Sequence, residues 1–185
     1  MLYFVTGGAR SGKSQFAENL TLSLAGTDDK QLKQINCKQL YYLATATVYD
    51  DEMQQRVDLH KGRRDARWQL LEEPLTIADC LSQLPHESTV LVDCMTLWVT
   101  NWLCSENRAD FAEQKQQFLT LLKAKFANSD SANCIIVSNE VGSGIVPMGE
   151  LSRDFVDESG WLNQAIAQLA DEAHLVVAGL PLKLK

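Results

Sequence analysis

The chain has 185 residues, a formal net charge of −7, and 45% hydrophobic against 22% charged residues. That length supports one domain with a real core and is short for two, and an acidic balance with a pI near 4.9 excludes the broad basic surplus of a nucleic-acid binder. The five cysteines (Cys37, Cys80, Cys94, Cys104, Cys134) show no C-x-x-C pair and an odd total, which argues against a disulfide framework or a zinc site.

Along the chain, short apolar runs alternate with longer stretches of helical spacing. Leu2–Val5 reads as a strand buried on both faces. It runs straight into Gly7-Gly8-Ala9-Arg10-Ser11-Gly12-Lys13-Ser14, and helical periodicity then extends from Lys13 to about Leu24. The octapeptide satisfies G-x-x-x-x-G-K-[ST] in the strand–turn–helix setting which that motif requires. Glycines there allow backbone angles that turn several N–H groups inward, and the helix start adds partial positive charge. Lys13 is placed to reach the β and γ phosphates of a purine nucleoside triphosphate, and the Ser14 hydroxyl to sit on Mg²⁺. A glycine-rich turn before an ordinary helix is the plain alternative. The coincidence of the full pattern with its setting speaks against it.

Gly26–Lys38 is polar and irregular, a surface connection, and Leu40–Leu43 is the second strand. From Asp50 to about Arg64 the spacing is helical, with Asp50-Asp51-Glu52 at the start as the macrodipole favours. Arg56, His60 and Arg63 or Arg64 then share one face, with Lys61 and Arg67 nearby. This is the main cationic cluster outside the phosphate loop and could hold a second set of phosphates. His60 is the histidine in that setting, and a neutral imidazole is a good nucleophile toward phosphorus. The local sequence by itself favours a solvated basic helix with an incidental histidine. His86 and His174 read as structural.

Thr89-Val90-Leu91-Val92-Asp93 is a buried strand with Asp93 at its carboxyl edge, where ligands bind in open α/β sheets. Asp93 is suited to hold Mg²⁺ through water or to position an attacking hydroxyl; capping of the following helix is the alternative. Helices at Thr96–Leu103, Asp110–Phe126 and Arg153–Ala173 and strands at Cys134–Val137 and Leu175–Ala178 complete the pattern. The apolar, Trp-bearing stretch Leu97–Leu103 offers a possible oligomer surface. The alternation predicts an α/β fold, one domain over residues 1–185, with a mainly parallel sheet flanked by helices. No secretory signal and no membrane-spanning run is expected, so the protein is placed in the cytoplasm.

With these residues in view, the chain resembles the bifunctional adenosylcobinamide kinase / adenosylcobinamide-phosphate guanylyltransferase family of cobalamin biosynthesis. The resemblance rests on Gly7–Ser14, Tyr42-Leu43-Ala44-Thr45, Asp51-Glu52-Met53 with Arg56 and His60, and Trp68 with Glu72-Glu73-Pro74. It continues through Asp93 with Thr96, Val99-Thr100-Asn101, Asn139-Glu140-Val141-Gly142-Ser143-Gly144-Ile145-Val146-Pro147, Gly160, Asn163-Gln164, Ala170-Asp171-Glu172 and Gly179-Leu180-Pro181-Leu182-Lys183. Nearly the whole chain is covered; the stretch Gly26–Lys38 is longer than the family usually carries, and Val156 stands where a basic residue is common.

The resemblance implies a RecA-type P-loop fold assembled as a homotrimer, and two reactions. A nucleoside triphosphate (GTP or ATP) phosphorylates the aminopropanol hydroxyl of adenosylcobinamide. GTP then donates GMP to that phosphate through a guanylylated histidine, with release of pyrophosphate. His60 matches the family's nucleophile. Thr47, Val48, Tyr49, Arg64, Asp65, Ala66, Arg67, Glu72 and Asp93 fall where the family contacts GTP. A monofunctional small-molecule kinase and a nucleotide-dependent switch protein are the rival readings.

Overall fold

The computed structural model describes residues 1–26, 39–47, 67–127 and 132–185. The expected helix from Asp50 to Arg64, and with it Val48, Tyr49, Arg56, His60, Arg64, Asp65 and Ala66, lies outside the described residues. Strands β1 (Leu2–Gly7), β2 (Gln39–Ala44), β3 (Trp68–Glu72), β4 (Ser88–Asp93), β5 (Asn133–Asn139), β6 (Glu172–Val177) and β7 (Leu180–Lys183) form a sheet in the order β3-β2-β4-β5-β1-β6-β7. Every neighbouring pair is parallel except β6 with β7. The expected α/β architecture is therefore present. β1 lies between β5 and β6 and is buried along its whole length, as an uninterrupted apolar run requires.

Helices α1 (Lys13–Leu24), α2 (Ile77–Ser82), α3 (Met95–Leu103), α4 (Phe111–Leu121) and α5 (Glu150–Leu169) cover the sheet. Because strand side chains alternate, the core sorts into two layers. Tyr3, Val5, Tyr42, Leu91, Ile135 and Val137 pack with Phe16, Ala17 and Leu20 of α1. Leu2, Phe4, Tyr41, Leu43, Val90, Val92, Cys134 and Ile136 pack on the opposite face with residues of the other four helices.

Four expectations need correction. Strand β3 has an interrupted burial pattern and no apolar run, and β7 contains Pro181, so neither carried a strand signal. Both lie at sheet edges, where such sequences are tolerated. α5 stops at Leu169 because Ala170 turns extended, and Ala173 is already paired with Phe4 in the sheet. The apolar spacing of Ala170 and Ala173 had extended the helix too far. The helix expected to Phe126 is α4 followed by a wider π-type turn over Leu122–Phe126, where the Lys125 ammonium caps the end of α2 by donating to the carbonyls of Leu81 (2.8 Å), Ser82 (3.2 Å) and Leu84 (2.7 Å). Finally, Leu97–Leu103 is no free surface: Trp98, Val99, Trp102 and Leu103 are buried. Trp98 meets Phe111 and Phe118 with ring centroids 5.4 Å apart in each case. Among the described residues Cys80, Cys94, Cys104 and Cys134 are free thiols, and no helix is long and apolar enough to cross a membrane.

Candidate active site

β1 delivers Gly7 to the carboxyl edge of the sheet, and the turn through Gly8–Ser11 hands the chain to α1. Ser11 N–H closes the turn on Gly8 O at 3.2 Å. Gly12 stands at the helix start with φ 93°, a left-handed conformation that a side chain resists. Two glycines are also fixed by crowding. A Cβ on Gly7 would lie 2.5 Å from Val176 O, and one on Gly12 would lie 3.0 Å from the Gly179 Cα. The β6–β7 turn thus packs directly on the loop, and Gly179 N–H donates to Ser11 O at 2.7 Å.

α1 has no side-chain cap and no acidic residue in its first turn, so its positive end and unpaired N–H groups remain available to an anion. Lys13 is buried, with its Nζ donating to Gly8 O at 3.2 Å, folded over the loop it serves. The structure therefore brings Gly7, Gly8, Ala9, Arg10, Ser11, Gly12, Lys13 and Ser14 into one turn at a helix start, a cradle whose geometry suits an anion such as phosphate.

Asp93 ends β4, one strand away from β1 across β5, which is about 10 Å at usual strand spacing. It faces the α1 side, where the Tyr42 hydroxyl donates to its Oδ2 at 2.7 Å. A buried network stiffens the chain on both sides of it. Thr45 N–H donates to Asp93 O, the Thr45 hydroxyl donates to Cys94 O at 2.7 Å, and Cys94 N–H returns to that hydroxyl at 2.9 Å. Asn101 Nδ2 ties Thr45 O (2.7 Å) to Pro74 O (3.0 Å), which also holds the segment leading to Thr47.

Between Asp93 and Gly7 stands the tip of β5. Asn139 pairs in register with Gly7 and donates from Nδ2 to the Thr96 hydroxyl at 3.0 Å, and Glu140 N–H donates to Gly7 O at 3.1 Å. Asn163 of α5 donates to Asn139 O at 3.2 Å. The Cys94 thiol contacts the same Thr96 hydroxyl at 3.0 Å; burial, and then the Asp93 charge, push its pKa up to about 11. It stays a neutral thiol near pH 7 and is no nucleophile.

Thr47 follows β2 and Glu72 ends β3, so both lie toward the same carboxyl edge as the cradle and Asp93. Arg67 precedes β3 at its amino end, and the structure does not bring its backbone to that edge. Sequence reasoning missed Tyr42, Thr45, Thr96 and Asn139 as parts of the site's frame. They lie in stretches that carried the family resemblance, and no local motif marked their roles.

Residues 3–184 match the family described as cobinamide kinase / cobinamide phosphate guanyltransferase. The chain is 41% identical over 182 residues to the bifunctional adenosylcobalamin biosynthesis protein CobP of Pseudomonas aeruginosa, covering 98% of this chain and 95% of that protein. It is 37% identical over 198 residues to the bifunctional adenosylcobalamin biosynthesis protein CobU of Salmonella typhimurium, and 34% identical over 194 residues to that of Escherichia coli, each over 100% of both chains. Matched along its whole length, the chain belongs to the cobinamide kinase / cobinamide phosphate guanyltransferase family.

Proposed function

We propose that this enzyme phosphorylates adenosylcobinamide and then transfers GMP from GTP to the resulting phosphate through a guanylyl-histidine. The observation that supports it best is the joint of β1, the glycine turn and the uncapped start of α1, in a chain whose whole length follows this family. In the first reaction the loop N–H groups and Lys13 hold a GTP or ATP triphosphate. The ammonium leaves Gly8 O for the β and γ phosphates and balances charge that grows in the transition state. Ser14 and Asp93 offer a hydroxyl and a carboxylate, hard oxygen donors of the kind Mg²⁺ takes. When bound, Mg²⁺ would neutralise charge on the transferred phosphoryl group.

In the second reaction His60 attacks the α-phosphorus of GTP. A P–N bond forms, the bond to the α–β bridging oxygen breaks, and pyrophosphate leaves. An oxygen of cobinamide phosphate then attacks the same phosphorus, and the P–N bond breaks to return the imidazole. We assign GTP contacts to Thr47, Val48, Tyr49, Arg64, Asp65, Ala66, Arg67, Glu72 and Asp93, following the family resemblance; for Arg67, at the amino end of β3, the contact would be made by its long side chain. We further propose one domain per chain and a cytoplasmic homotrimer; the free thiols Cys80, Cys94, Cys104 and Cys134 suit a reducing compartment.

Chromatography and mass spectrometry of the corrinoid test this. With GTP and Mg²⁺, adenosylcobinamide should gain a phosphate and then a GMP unit, and chelation of the metal should stop both. A corrinoid recovered unchanged would contradict the proposal.

A further inference from the structure

The loop between β5 and α5 leaves the sheet beside the phosphate cradle and carries apolar side chains into solvent. Its start is tied to the cradle by the bond from Glu140 N–H to Gly7 O at 3.1 Å. The Glu140 carboxylate accepts from Gly142 N–H at 2.9 Å and from the Ser143 hydroxyl, which shapes the first turn. At the far end, Arg153 N–H donates to Gly149 O at 3.0 Å, and the Arg153 guanidinium donates to Met148 O. Between these anchors Ile145 is 97% exposed, Met148 96% and Val146 62%.

Large apolar side chains turned outward on a loop pinned at both ends are the kind of surface that a ligand or partner covers. A triphosphate has no use for Ile, Val and Met. The phosphoryl acceptor does, because it must bring its hydroxyl to the cradle that this loop borders, and a corrin presents a broad ring edged with methyl groups. We propose that Ile145, Val146 and Met148 form the docking surface for the corrin ring of the acceptor, beside the phosphate cradle. The inference rests on the proposed function and adds to it the residues that select the corrinoid.

A double substitution, Ile145→Ser with Met148→Ser, tests it. Both side chains are almost fully exposed, so the fold loses no core contact. Covering one such side chain contributes roughly tenfold or more in affinity. The KM for adenosylcobinamide and the dissociation constant of the coloured corrinoid should therefore rise by at least about tenfold, with affinity for GTP and kcat changing less than about twofold. An unchanged corrinoid constant would overturn the proposal. An equal loss of GTP affinity would give the loop to the nucleotide instead, and a smaller particle by light scattering would give it to a second copy of the chain; either overturns it as well. The underlying reading is judged separately on the wild type: if that neither binds nor phosphorylates the corrinoid, both fall. If the wild type is active and the variant matches it, only the docking surface falls.

Discussion

Gly12 carries two independent demands, a φ of 93° and a close approach to the Gly179 backbone. Alanine there costs about 1–2 kcal/mol in backbone strain, and its Cβ would press on a Cα that cannot swing aside as a side-chain tip can. We expect Gly12→Ala to lower GTP affinity at least about tenfold and to reduce thermal stability as well, because the β6–β7 turn is displaced with the loop. Lys13→Ala should lose binding and both reactions while melting close to the wild type, since Lys13 serves charge more than packing. Titration of a fluorescent GTP analogue, paired with thermal melts, separates the two. Wild-type affinity in either folded variant would contradict the cradle. The octapeptide from Gly7 to Ser14 was legible because its chemistry is local. Tyr42 and Asp93 meet across 51 positions and Asn139 and Thr96 across 43, so no window of sequence contains either pair.

Among the elements, α3 shows how hydrophobic spacing identifies a helix but not what covers it. Its tryptophans face inward and share one acceptor, Leu75 O, at 2.7 Å from Trp98 Nε1 and 3.1 Å from Trp102 Nε1. Trp98→Ala would leave that carbonyl partnered by Trp102 and open a cavity against Phe111 and Phe118. The expected loss is about 3–5 kcal/mol of unfolding free energy, read from the midpoint of urea denaturation at unchanged slope. A loss within about 0.5 kcal/mol, the usual range for surface positions, would place Trp98 outside the core. The central strands were legible because burial on both faces demands unbroken apolar runs. Edge strands escape that demand, which is why β3 and β7 were missed, and β7 tolerates Pro181 because among the described residues it has a strand neighbour on one flank alone.

For the whole molecule, the sheet order matters more than any one element. Placing β5 between β4 and β1 sets Asp93 and the phosphate loop on one edge with a single strand between them, and gives the β5–α5 loop its place beside the cradle. In a chain of net charge −7, the proposed triphosphate site has to work through local N–H groups and one lysine, against the overall field. The second reaction turns on His60, the proposed nucleophile toward the α-phosphorus of GTP. The decisive measurement is the intact mass of the denatured protein after incubation with GTP and Mg²⁺, for the wild type and for His60→Asn. The wild type should gain one GMP per chain, as an adduct labile in acid and stable in mild base, as a phosphoramidate is. His60→Asn lacks the nucleophilic ring nitrogen; it should carry no adduct yet still phosphorylate adenosylcobinamide. An acid-labile GMP on His60→Asn would move the nucleophile to another residue, and a wild type that never gains GMP would reduce the protein to a kinase with a single reaction.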